Sequence, residues 1–235
     1  MSSVESFDYD QYLKAADIVR EKVRERSLEP DRIKDGMILG SGLGGFVQNH
    51  LNPESVHIPF NTIWKALGIP PHGGVVQGHA KELVVGPLNG DPSGEQHLVF
   101  GQAGREHPYE GVSTRRSTFW LRVMQLLGVE TLIGSTAAGI VTPRELTVPS
   151  LMLVNGHVDL GSDNPLQGLN DDRFGPRSPH MSGHYPAPTR EVFHRVAKRL
   201  GIQLNEGIYI RETGPNYETP EEVYRLRGML RSLWE

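Results

Sequence analysis

The sequence predicts an α/β fold with a largely parallel or mixed central sheet, on three observations. Short apolar runs stopped by glycine or turn residues alternate with longer stretches of helical periodicity. Helix-start and helix-stop residues stand where that periodicity begins and ends. The polar clusters follow the apolar runs directly, and loops beyond strand ends are where such sheets gather ligands.

The first helix starts with a capping pair, Asp8 and Gln11, and continues through Tyr12, Ala16, Val19 and Val23 at helical spacing. The mixed charges of 20–26 read as its solvated face, and Pro30 as its end. Met37-Ile38-Leu39 is a buried strand that runs into Gly40-Ser41-Gly42-Leu43-Gly44-Gly45. A short strand follows at 56–60, and Pro70 to Gly74 is a loop leading to His79. Strands at 81–88 and 96–100 flank a turn-forming stretch from Asn89 to Gly94. A helix is expected from Ser113 to Leu127, stopped by Gly128, with Phe119, Val123, Leu126 and Leu127 buried. Strands at 129–135 and 146–154 come next, then a long polar loop at 161–188. A helix from Thr189 to Leu200 ends at Gly201, and 207–210 is a strand. Thr219-Pro220-Glu221-Glu222 opens a last helix with a capping box and a proline in its first turn.

Composition narrows the function classes. The 235 residues suffice for one sizeable core, and a single domain over 1–235 is the default. A formal net charge of -4 argues against a general nucleic-acid or membrane-surface binder. There are no cysteines, which removes disulfides and thiolate chemistry. The acidic, polar start shows no signal peptide and no apolar run spans a bilayer, so the expected location is cytoplasmic.

The glycine stretch can serve as a phosphate cradle, because glycines let successive N–H groups converge on an anion and Ser41 adds a hydroxyl. A tight strand-to-helix turn explains the same residues equally well. No Gly-Lys-Ser/Thr closes the loop, so it is not a P-loop. Gly40, Gly42 and Gly45 do satisfy G-x-G-x-x-G, which keeps an NAD-dependent dehydrogenase as a remote alternative. That fingerprint wants a full helix and an acid about 20 residues on; here Pro53 interrupts early and residue 65 is a lysine.

Arg105, Glu106, His107, Tyr109 and Glu110 sit between Gly104 and Gly111, just after a strand. Arg105 can fork onto a phosphate, His107 can hydrogen-bond the same anion, and Tyr109 can reach a sugar hydroxyl. The plain alternative is a surface turn with an Arg–Glu pair. Glu218 follows Tyr217, again after a strand, and a carboxylate beside an aromatic ring suits a planar heterocycle. Its plain alternative is to favour the N-terminus of the last helix. His72 and His79 match no metal-ligand spacing.

Six blocks in order resemble the purine nucleoside phosphorylases of the trimeric class. They are Gly40-Ser41-Gly42-Leu43-Gly44, Gly78-His79-Ala80, Gly104-Arg105-x-His107-x-Tyr109-Glu110-Gly111, Thr136-Ala137-Ala138-Gly139, Asn164-Pro165-Leu166 with Asn170 to Gly175, and Gly214-Pro215-x-Tyr217-Glu218-Thr219. The resemblance implies a mixed, partly barrel-like sheet flanked by helices and the reversible phosphorolysis of purine (deoxy)ribonucleosides, as in purine salvage. It also implies that Ser41, His79, Arg105, His107 and the Ala137 N–H hold phosphate, that Tyr109 meets the sugar, and that Tyr217 and Glu218 hold the base. His107 and Glu218 would then be the catalytic pair. No metal or organic cofactor is implied, and the expected assembly is a homotrimer. The family pattern continues past residue 235, with further ligands for phosphate, sugar and base. The expectation is therefore of a C-terminally shortened member, with an impaired or non-catalytic relative as the alternative.

Overall fold

The computed structural model describes residues 5–40, 43–51, 53–72, 80–89, 97–142 and 148–232. Helix α1 (Tyr9–Glu25) opens with the capping box expected from the sequence: the Asp8 carboxylate accepts from the Gln11 N–H at 2.8 Å, and the Asp8 N–H donates to the Gln11 amide oxygen at 3.0 Å. Such a cap stabilises a helix by about 0.5–2 kcal/mol. Ala15, Ala16, Val19 and Val23 form its buried face. Pro30 does not end this helix; it starts a separate 3-10 turn, Pro30–Arg32, that leads into β1 (Ile33–Leu39).

The chain continues through α2 (Gly44–His50), β2 (Val56–Pro59), α3 (Phe60–Ala66), β3 (Glu82–Pro87) and β4 (Leu98–Ala103). Next come α4 (Thr114–Ser117), α5 (Phe119–Leu127) and β5 (Thr131–Gly134). The five strands form one mixed sheet in the order β2-β3-β4-β1-β5. Strand β1 runs parallel to both β4 and β5, whereas β3 is antiparallel to β2 and β4.

Alternation along the strands sends side chains to two cores. Leu83, Val85, Leu98 and Phe100 face a large cluster with α1, Phe60, Ile63 and Trp64 of α3, and Phe119, Trp120, Val123 and Met124 of α5. Val84, Val99 and Ala103 face a smaller cluster with Leu39, Val47 and Leu51. Strand β4 is buried over its whole length, as a central strand covered on both faces should be.

The single helix expected from Ser113 to Leu127 is broken at Thr118, whose backbone leaves helical geometry at φ -101° and ψ 4°. The Thr118 hydroxyl donates back to the Thr114 carbonyl at 2.8 Å, a local bond that competes with regular helix. Gly128 supplies the left-handed stop, at φ 91°.

A second compact unit comprises 138–170 and 175–235, while Asp171–Phe174 groups with the first. Its parallel pair is β6 (Leu151–Asp159) and β7 (Leu204–Arg211), with α6 (Ala187–Leu200) and α7 (Pro220–Ser232). Strand β6 starts five residues later than the sequence predicts; residues 143–147 lie outside the described set, and Pro149, lacking an N–H, cannot serve a ladder. Gly201 ends α6 in the left-handed region, and Thr219 and Glu222 form the expected box at the start of α7. Within the first unit, the Phe174 ring meets Tyr9, Tyr12 and the Arg122 guanidinium.

Candidate active site

Three of the loops that carry candidate residues leave the same edge of the sheet. Leu39 pairs with Ala103 across β1 and β4, and Ile38 with Gly134 across β1 and β5. The segments beginning at Gly40, Gly104 and Ser135 therefore emerge side by side at the carboxyl ends of adjacent parallel strands. Ser135 ties two of them together. Its hydroxyl donates to the Ile38 carbonyl and accepts from the Gly40 N–H, both at 3.0 Å. The backbones are so close that a Cβ at position 40 would stand 2.4 Å from the Ser135 carbonyl oxygen. Gly40 is required there by approach, quite apart from any ligand. Ala137 is exposed two residues beyond Ser135.

The Gly104–Gly111 loop is braced from within and from behind. Glu106 is buried, and the Arg116 guanidinium forks onto its carboxylate through Nε and Nη2 at 3.2 Å each. Arg116 also donates to the Pro70 carbonyl at 3.0 Å and lies 4.6 Å over the Trp64 ring. The sequence left an Arg–Glu surface turn open as an alternative; the pair exists, but it joins Glu106 to Arg116 and is buried. It frames the loop and leaves Arg105, half-buried, as a different guanidinium.

His107 is held by Glu110. One carboxylate oxygen accepts from the His107 N–H and contacts the ring Nδ1, both at 2.8 Å, while the other accepts from Lys81 Nζ at 2.9 Å. Burial alone would raise the Glu110 carboxyl, but the hydrogen bonds from Lys81 and His107 outweigh it and bring it down to about 2. The carboxylate is thus ionised and can only accept, which assigns the Nδ1 proton to the imidazole. Tyr109 stacks on His107, ring centroids 4.7 Å apart and planes at 13°. Its phenol is raised first by burial, then by the Glu110 charge, with Arg105 opposing.

The structure brings Arg105, His107 and Tyr109 together on one turn and sets Ala137 on a neighbouring loop. Ser41 and His79 lie outside the described residues. Tyr217 and Glu218 belong to the second unit, on the exposed segment between β7 and α7. The reading of the sequence named Glu106 and Glu110 without their bracing role, and missed Lys81, Arg116 and Ser135. Only the three-residue spacing from His107 to Glu110 could have signalled one of these contacts, since that turn folds the two together.

Fold and site define the class first: an α/β protein with a cationic, glycine-framed corner at the carboxyl edge of its sheet. Comparison with known proteins then narrows it. The Phosphorylase superfamily profile matches residues 69–233. Purine nucleoside phosphorylase 1 of Bacillus subtilis is 40% identical over 201 residues, covering 85% of this chain and 69% of that protein. Purine nucleoside phosphorylase of Rattus norvegicus is 38% identical over 226 residues, covering 94% and 71%. Among solved structures, isoform 2 of purine nucleoside phosphorylase from Schistosoma mansoni, in complex with cytosine and ribose-1-phosphate, superimposes with a TM-score of 0.79 at 30% identity. It covers 97% of this chain and 74% of that one. The chain belongs to the phosphorylase superfamily, within its purine nucleoside phosphorylase family.

Proposed function

We propose that this protein phosphorolyses purine (deoxy)ribonucleosides reversibly, giving free base and (deoxy)ribose 1-phosphate. The observation that carries the reading is the meeting of three loops at the carboxyl edge of β4, β1 and β5, with Arg105 and the Glu110-anchored His107 on one of them. Oxyanion ligands suit such a corner: a guanidinium fork, an imidazole and backbone N–H groups all donate.

In the forward direction a phosphate oxygen bonds to C1′ as the C1′–N9 bond breaks. The bonding pair departs with the purine, which takes up a proton. The transition state places positive charge on the sugar, so a phosphate fixed beside it supplies both proximity and electrostatic stabilisation. Arg105, His107, Ser41, His79 and the Ala137 N–H are the proposed phosphate ligands. With its Nδ1–H donated to the Glu110 carboxylate, His107 would exchange a proton with phosphate through Nε2. Tyr109 is the proposed sugar contact, and Tyr217 and Glu218 the base contacts, with Glu218 orienting a 6-oxopurine as it leaves. The reaction needs neither metal nor organic cofactor.

The assembly proposed is a homotrimer, and the compartment the cytoplasm. No helix among the described residues is long and apolar enough to cross a membrane. Inosine incubated with and without orthophosphate tests the activity. Free base appearing only with phosphate supports the reading, while an inert chain, or base released equally without phosphate, refutes it. Sedimentation equilibrium tests the assembly.

A further inference from the structure

Lys81 is a residue that the phosphate-site reading does not use, and its backbone is out of the ordinary. At φ 52° it occupies the left-handed region, which disfavours any residue with a Cβ. The other such non-glycine residue among those described, Ser27, merely follows the end of α1. A residue held in that region needs surrounding contacts that fix it there, and such positions cluster at functional sites. Two contacts with described residues contribute to this. The Lys81 carbonyl accepts from the Phe60 N–H at 2.9 Å, and its ammonium sits 2.9 Å from the Glu110 carboxylate.

That ion pair is not a loose surface contact. The side chains of Lys81, Glu110 and His107 are only 17%, 6% and 16% exposed, so their mutual charges are weakly screened. Glu110 shares its single negative charge between two partners, the imidazole on one oxygen and the ammonium on the other. Other charged and titratable groups stand close by among the described residues. Tyr109 stacks on the ring, Arg105 lies close enough to act on Tyr109, and Glu82, next to Lys81, places its carboxylate 3.3 Å from His57 on β2.

We propose that Lys81 is a positioning residue of the phosphate site: its ammonium clamps Glu110 against His107 and takes up part of the carboxylate's charge, so that it sets how readily the imidazole becomes a cation. The proposal rests on the reading of this corner as the phosphate site. In its chemistry a neutral imidazole can take a proton from phosphate, whereas an imidazolium can only donate to it. An ammonium on the far side of Glu110 takes up part of the carboxylate's charge and so favours the first state, and its loss leaves the whole carboxylate charge to favour the second.

The test is the NMR titration of the His107 imidazole in the full chain, for the parent, Lys81→Gly and Lys81→Arg. Glycine removes the amine and also suits the left-handed backbone, so any loss of stability reflects the lost ion pair and not backbone strain. Without phosphate, Lys81→Gly should shift the His107 midpoint upward by about one pH unit, and Lys81→Arg should leave it near the parent's. A midpoint in Lys81→Gly equal to the parent's overturns the proposal, whatever its thermal stability. Added inorganic phosphate forms a separate arm. If it leaves the parent's His107 resonances unmoved, the phosphate-site reading fails, and with it the role of Lys81 in that site, while an unchanged midpoint without phosphate fails Lys81 alone.

Discussion

The Gly104–Gly111 loop, in the first unit, and the Gly214–Thr219 segment, in the second, both carry candidate residues, and the protein treats them differently. The first is fixed through its own carboxylates: Glu106 is buried against Arg116, and Glu110 holds both His107 and Lys81. The second is open. Tyr217 is 94% exposed, and the hydrogen bonds that close the segment belong to the α7 cap, Thr219 with Glu222. An anion demands donors already in place, because reorganising charged groups during binding is expensive. A flat heterocycle needs a ring and an acceptor, which the exposed segment can offer without internal bracing. The contrast says that the Gly104–Gly111 loop is preorganised by charge and the Gly214–Thr219 segment is not.

Breaking the bracing should have the largest effect. Arg116→Met leaves the Glu106 carboxylate buried without its fork, and should lower unfolding free energy by about 3–5 kcal/mol in urea. The double variant Glu106→Leu with Arg116→Met removes both charges, and should recover most of that loss. If the double variant is no better than the single one, the pair frames the loop by something other than charge compensation.

Next in size is Glu110→Gln. Because the folded-state carboxyl is depressed to about 2, its contribution is fully present above the ordinary carboxylate range and is lost as pH falls toward 2. The variant should be less stable than the parent at pH 7 by up to about 3 kcal/mol, with the two converging between about pH 4.5 and 2. Unfolding midpoints measured across that range check the sign as well as the size. A gap that widens on acidification contradicts the assignment.

The smallest stability effect belongs to the open segment. Tyr217→Ala should change unfolding free energy by no more than about 0.5 kcal/mol, as expected for an exposed side chain. It should nevertheless raise KM for the nucleoside while leaving KM for phosphate alone. A clear loss of stability would mean that the segment is braced after all.

Much of this was legible in the sequence, and the limits have physical causes. The Asp8–Gln11 and Thr219–Glu222 boxes, and the glycine stops at Gly128 and Gly201, are local, so spacing alone reveals them. Arg105, His107 and Tyr109 stood out because they crowd a glycine-framed stretch after a strand. The break at Thr118 was hidden because its side-chain bond replaces a backbone bond without disturbing the apolar period. Glu106–Arg116 and Lys81–Glu110 join residues 10 and 29 positions apart, and only the fold brings them together. Helices α2 and α3, seven residues each, are too short to show a period.

The most direct test of the account is the phosphate dependence of inosine cleavage by the parent and by Arg105→Ala. If the corner beside β4 holds the attacking anion, the variant should need about a hundredfold more phosphate to reach half its maximal rate, with KM for inosine nearly unchanged. Equal phosphate requirements in the two proteins, or a loss confined to inosine binding, would contradict it.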